Sequence, residues 1–121
     1  MSAQPPRPLA RAISFVAPAD AFAAFADDPV AALLDSAASD GGRGRYAYIA
    51  ADPFRVLTWR WGNAGNPLAL LAAGLAASPL NADPGLPPFQ GGAVGFLGYE
   101  LGGTLERLAP PAAPGPALPD L

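Results

Sequence analysis

The stretch Phe89-Gln-Gly-Gly-Ala-Val-Gly-Phe-Leu-Gly-Tyr-Glu100 constrains this chain more than any other. Four of its twelve residues are glycine, with Val94, Phe96 and Leu97 filling the gaps. Glycine inside a strand weakens it through backbone entropy and leaves no side chain to pack. It belongs where another backbone or a ligand comes close, or where φ turns positive. Gly92, Gly95 and Gly98 recur every third residue, which fits neither the alternation of a half-buried strand nor a helical stripe. The pattern predicts a buried, locally bulged strand running into a turn at Gly98-Tyr99-Glu100 and then a short helix. A glycine-rich core strand that meets no ligand is the plainer alternative.

A strand of that kind needs a core to sit in, and the composition supplies little. Apolar residues make up 51% of the 121, but 28 of them are alanine. Leu, Ile, Val and Phe together number 28, or about 23% of the chain, close to the level of about 20% below which chains tend to disorder. One domain of marginal stability is expected, completed by more chain or by a partner.

Along the sequence, residues 1–11 hold three prolines and read as a loose arm, followed by a domain over residues 12–108. Ala12–Val16 alternates and reads as a strand, and Pro18-Ala-Asp20 opens a helix with Phe22 and Phe25 on one face. Val30–Ser36 is ambiguous between helix and strand, and Asp40–Gly44 is a glycine turn. Arg45–Ala51 reads as a strand with Tyr46 and Tyr48 on one side. Phe54–Trp61 reads as the edge of a hairpin, with Trp59 and Trp61 buried against a helix that starts at Asn66-Pro67 and carries Leu68, Leu71 and Leu75. After a loop at 79–88 come the glycine-rich strand, expected to pair with the tyrosine-bearing strand, and a short helix over 100–108 with Tyr99 beneath the sheet. Residues 109–121 are proline-rich and read as a linker. The order of elements predicts an α+β fold with a mainly antiparallel sheet.

The residue types limit the chemistry. The chain contains no His, Cys or Lys, so it has no imidazole base, thiol nucleophile, Schiff-base amine or soft metal site. A phosphate loop of the Walker kind is ruled out for want of its lysine, and the glycine spacing is not that of a dinucleotide fold. Seven scattered arginines and a net charge of −3 argue against nucleic acid. No apolar run reaches the ~18 residues that would span a bilayer, and the start lacks a signal peptide's apolar segment, so cytoplasm is expected. Asp35, Asp40, Asp52, Glu100 and Glu106 are not spaced as a catalytic or metal-binding pair and read as solvated surface acids. No catalytic, cofactor-binding or metal-binding residue is expected in this chain.

The run from Phe89 to Glu100, followed by Glu106-Arg-Leu-Ala-Pro110, resembles the amino-terminal signature of the chorismate-aminating enzymes. These are anthranilate synthase component I and aminodeoxychorismate synthase component I. Leu33-Leu-Asp-Ser36 is similar to the family's Leu-Leu-Glu-Ser motif, and Gly44–Pro53 resembles its Ser-Arg-Tyr-Ser-Tyr-Ile strand and turn. The resemblance covers residues 12–121. It implies the amino-terminal part of an α/β/β/α sandwich, with Gly91, Gly92, Gly95, Gly98, Tyr99 and Glu100 as a structural motif. It also implies a separate carboxy-terminal region that carries the lysine and the Mg²⁺-binding glutamates, and a glutamine amidotransferase partner, component II. Leu118-Pro-Asp-Leu121 looks like the start of the family's next conserved segment, so the chain is expected to stop within a longer protein.

Gly98–Leu108 is closer in type to the aminodeoxychorismate branch. In the anthranilate branch the Leu-Leu-Glu-Ser segment lines a tryptophan pocket, which by resemblance falls on Leu34, Asp35, Ser36, Arg45 and Tyr46. Ser36 would meet an amino acid head group and Asp35 an ammonium. Against this, Asp35 is one methylene shorter than the family's glutamate, Ser36 also suits a strand end bonding its own backbone, and Arg45 suits an exposed cross-strand pair. Two further readings stay open: a stand-alone module that docks a glutaminase or a separate catalytic chain, and a non-functional relic.

Overall fold

The computed structural model describes residues 4–38, 42–109 and 118–121. It has an α+β architecture: α1 Pro18–Ala23, β1 Ala31–Leu34, β2 Tyr48–Ala51, α2 Pro67–Ala76 and a 3₁₀ helix Tyr99–Thr104. The chain divides into two compact units, residues 1–54 with 80–94 and residues 55–79 with 95–121. The boundary falls inside the glycine-rich stretch, which leaves Gly91 and Gly92 in the first unit and Gly95 and Gly98 in the second.

In the first unit β1 and β2 pair antiparallel, with Ala31 opposite Ala51 and Leu34 opposite Tyr48. Alanine and leucine favour helix, but cross-strand pairing overrides that preference and settles residues 31–34 as strand. The short helix α1 starts with Pro18 in its first turn and lies against both strands. It ends at Ala23 and continues as turns through Asp27; Phe22 is half-buried, and Phe25 falls outside the helix. The loop before the glycine run is locked by Gln90: its Oε1 accepts from the Asp83 N–H at 2.8 Å, and its Nε2 donates to the Asp83 carbonyl at 2.7 Å. The described part of the arm is tied where the Asn81 N–H donates to the Pro6 carbonyl at 2.9 Å.

In the second unit α2 begins as its sequence dictates. The Asn66 side chain accepts from the N–H groups of Leu68 and Ala69, at 3.0 and 3.1 Å, and Pro67 takes the first helical position, where no N–H is needed. Trp59 (6% exposed), Leu101 (4%) and Pro67 form the buried nucleus.

Three expected strands are absent. Ala12–Val16, Phe54–Trp61 and Phe89–Gly98 run without strand pairing. A strand persists where neighbouring backbone satisfies its N–H and C=O groups, and Ala12–Val16 has no such neighbour among the described residues: Phe15 is 89% exposed. In Phe54–Trp61 the Trp59 backbone bonds to the backbone of Asp120 and Leu121 and the Trp61 N–H to the Asp120 carboxylate, not to a hairpin partner. The turn at Gly62–Gly65 therefore closes no hairpin. The glycine run makes no ladder with β2, and its contact there is the Phe89 ring, edge-on to Tyr48 at 5.5 Å. The helix expected over 100–108 is the shorter 3₁₀ turn, because glycines 102 and 103 weaken continuation. Tyr99 is 86% exposed and does not lie under a sheet. At α2, Arg55 and Leu57 are the residues beside Gly74, whereas the Trp61 ring lies on Gly103. Most of the expected linker, residues 110–117, lies outside the described residues.

Candidate functional site

The tyrosine end of the two-stranded sheet holds the residues expected to form a pocket. Leu34 sits opposite Tyr48 where the pairing ends, with Asp35 and Ser36 following β1 and Arg45 and Tyr46 preceding β2. The turn before β2 closes tightly on this end. Gly44 has φ +66°, and a Cβ there would overlap the Ala38 carbonyl oxygen and come within 3.5 Å of Ser36 Cβ. Only glycine serves at that point.

Within this end, the Asp35 carboxylate accepts from the Ser36 N–H at 2.8 Å, a local turn contact of the kind short polar side chains make. Arg45 lies over the Tyr46 ring, 5.3 Å from its centroid. Tyr46 and Tyr48 sit 6.0 Å apart, and Phe89 continues the aromatic row. The structure thus brings Leu34, Ser36, Arg45 and Tyr46 to one end of one sheet, beside Asp35. All five are exposed, so the arrangement is an open shelf, with the Arg45 cation over the Tyr46 face and the Asp35 carboxylate on the Ser36 N–H.

The glycine motif has separate reasons at separate positions. Gly92 takes φ +130°, and Gly91 would meet the tip of Leu80. Gly98 is approached by the backbone of Asp120. Gly95 faces open space, and nothing in the structure requires glycine there. Beyond it, Trp61, Tyr99, Glu100, Leu108 and Ala109 line an open-sided cavity of about 220 Å³. Two features escaped the sequence reading: the Gln90–Asp83 lock and the bonding of Asp120. The first spans seven residues and matches no turn signature, and the second joins positions 59 residues apart, beyond any local signal.

Among the described residues no three His, Cys, Asp or Glu side chains gather to hold a metal ion. No helix among them is long and apolar enough to cross a membrane. The buried Trp59 Nε1 has no hydrogen-bond partner among the described residues.

Known proteins resemble this chain over most of its length. It is 41% identical over 106 residues to anthranilate synthase component 1 of Streptomyces coelicolor, covering 87% of this chain and 20% of that protein. It is 35% identical over 112 residues to the protein of the same name from Mycobacterium tuberculosis, covering 79% of the chain and 22% of the relative. Aminodeoxychorismate synthase component 1 of Salmonella typhimurium is 37% identical over 107 residues, covering 77% of the chain and 23% of the relative. No family model matches the chain, and no solved structure does.

These likenesses put the matched residues in the class of chorismate-utilising synthase components. More particularly, the chain belongs to the component 1 family shared by anthranilate synthase and aminodeoxychorismate synthase, and it spans about a fifth of the length of the curated relatives it matches. Membership rests on these identities. The sheet pairing expected of the glycine run is not what carries it.

Proposed function

We propose that this chain is the amino-terminal scaffold of component 1 of a chorismate-aminating synthase, and that bond-making residues belong to the part of the family's length the chain does not span. The observation that carries this reading is the likeness itself: most of this chain matches only about a fifth of each relative. The absence of His, Cys and Lys supports it, because the chain has no imidazole base, thiol nucleophile or side-chain amine. In the aminodeoxychorismate branch the whole enzyme would replace the chorismate 4-hydroxyl with an amino group in the cytoplasm, for folate and p-aminobenzoate synthesis. Ammonia would come from a glutaminase, component II. The family's Mg²⁺ does not fit the described residues, which gather no carboxylate cluster. Incubating the chain with chorismate, ammonia and Mg²⁺ should give no aminated product. Measurable turnover would overturn the scaffold reading.

The anthranilate branch is the second reading, favoured by the 41% identity to the Streptomyces protein. Here the shelf at Leu34, Asp35, Ser36, Arg45 and Tyr46 would take tryptophan, Arg45 meeting its carboxylate and Asp35 its ammonium. Calorimetry with millimolar tryptophan tests this. A saturable heat that disappears in Arg45→Ala supports the pocket, and no heat removes it.

A further inference from the structure

The last described residues pair with two distant parts of the second unit. The Asp120 N–H donates to the Trp59 carbonyl at 2.7 Å, and the Asp120 carbonyl accepts from the Gly98 N–H at 2.8 Å. Its Oδ2 accepts from the Trp61 N–H at 2.6 Å. One residue further, the Leu121 carbonyl accepts from the Trp59 N–H at 2.7 Å. Asp120 therefore stands between the Trp59–Trp61 segment and Gly98, using both main-chain groups and its carboxylate.

We infer that residues 118–121 form a clasp for the second unit, with Asp120 as the positioning residue that sets the Gly98-Tyr99-Glu100 turn and Trp61 against each other. The inference stands apart from the functional proposal, since it uses only contacts within the unit. Three local facts converge on it. A Cβ at Gly98 would come within 3.2 Å of both Asp120 Cα and Oδ1, so the glycine admits this approach. The Trp61 N–H meets a charged acceptor, a stronger bond than one to a neutral oxygen. Trp61 in turn lays its ring directly on Gly103, where an added Cβ would overlap Cζ3. Trp61, Tyr99 and Glu100 line one cavity, so two of its walls hang from a single side chain and its backbone. The Asp120 side chain bonds to the lining at the Trp61 amide. It acts by placing other residues, and its replacement should alter their order before anything else.

The test is amide hydrogen exchange on the 121-residue chain, read together with tryptophan emission. In the unaltered chain the Trp59, Trp61 and Gly98 amides should be protected as one group, and a Trp61 amide exchanging at the unprotected rate overturns the clasp. In Asp120→Ala, protection at Trp61 and Gly98 should fall at least about tenfold, while β1 and β2 amides keep their rates. Asp120→Asn, which keeps a side-chain acceptor, should recover much of the Trp61 protection and the wild-type emission. Unchanged exchange at Trp61 and Gly98 in Asp120→Ala contradicts the inference. So does an equal loss in both units. If Asp120→Ala fails to fold, the unaltered chain and Asp120→Asn decide: failure of Asn to protect Trp61 overturns the role given to the carboxylate.

Discussion

The two units are built from similar material and reach different ends. The first has the only sheet among the described residues, yet none of its described residues is fully buried. The second has no sheet, but it encloses Trp59, Pro67 and Leu101. A pair of four-residue strands is marginal in water without a third strand or a packed layer. The second unit escapes that weakness because Asp120 and Leu121 return to satisfy the backbone at Trp59 and Gly98. Regular secondary structure and a closed core are thus separable, and here it is long-range pairing that accompanies burial.

The largest expected effect separates the units directly. Trp59→Ala should destabilise the second unit by about 3–5 kcal/mol, the usual range for emptying a large aromatic site. Both tryptophans lie in that unit, so Trp61 emission during urea unfolding reports the loss. A shift under about 1 kcal/mol would mean that the nucleus is no better packed than the sheet. Gly103→Ala comes next, at about 1–3 kcal/mol, because the added methyl overlaps the Trp61 ring and something must move. In the first unit, Gly44→Ala should cost on the order of 1–3 kcal/mol through its positive φ and the clash with Ala38. Exchange at the Tyr48–Ala51 amides is the readout, and unchanged rates there would show that the turn does not set the sheet.

Smaller effects sharpen the same contrast. Asn66→Ala removes the cap of α2 and should cost about 1 kcal/mol, seen as a lower urea midpoint with an unchanged slope. Phe15→Ser should change stability by less than about 0.5 kcal/mol, because Phe15 already faces solvent in this chain. A loss of several kcal/mol there would show that the first unit has a core including Phe15.

How far the sequence could be read follows the same division. Elements set by neighbours in sequence were legible: the Pro18 helix start, the Asn66-Pro67 cap and the loop at 79–88. The tyrosine strand was legible in place but not in extent: it begins at Tyr48, where pairing with β1 begins, and not at Arg45, so Tyr46 lies outside it. Elements that depend on a distant partner were not. Phe89–Gly98 and Phe54–Trp61 carry strand-like residues, but pattern alone does not say whether a neighbouring backbone exists to pair with them. For the candidate shelf, the grouping of Leu34, Asp35, Ser36, Arg45 and Tyr46 came from the resemblance, not from spacing. It did not reveal that Arg45 lies on Tyr46 or that Asp35 turns back to its own neighbour. Trp59 and Trp61, two residues apart, looked alike, yet one is buried and the other rests on Gly103. Gly103 stands 42 residues later than Trp61, beyond any local window.

The central claim is that these residues serve as the scaffold portion of a component 1 protein. Its most direct test replaces the matched fifth of the Streptomyces coelicolor relative with the corresponding residues of this chain, and measures anthranilate formation by the purified, soluble chimera. The account predicts activity within about tenfold of the parent protein, equivalent to a loss of no more than about 1.4 kcal/mol in transition-state stabilisation. A soluble, folded chimera that forms no anthranilate would contradict it.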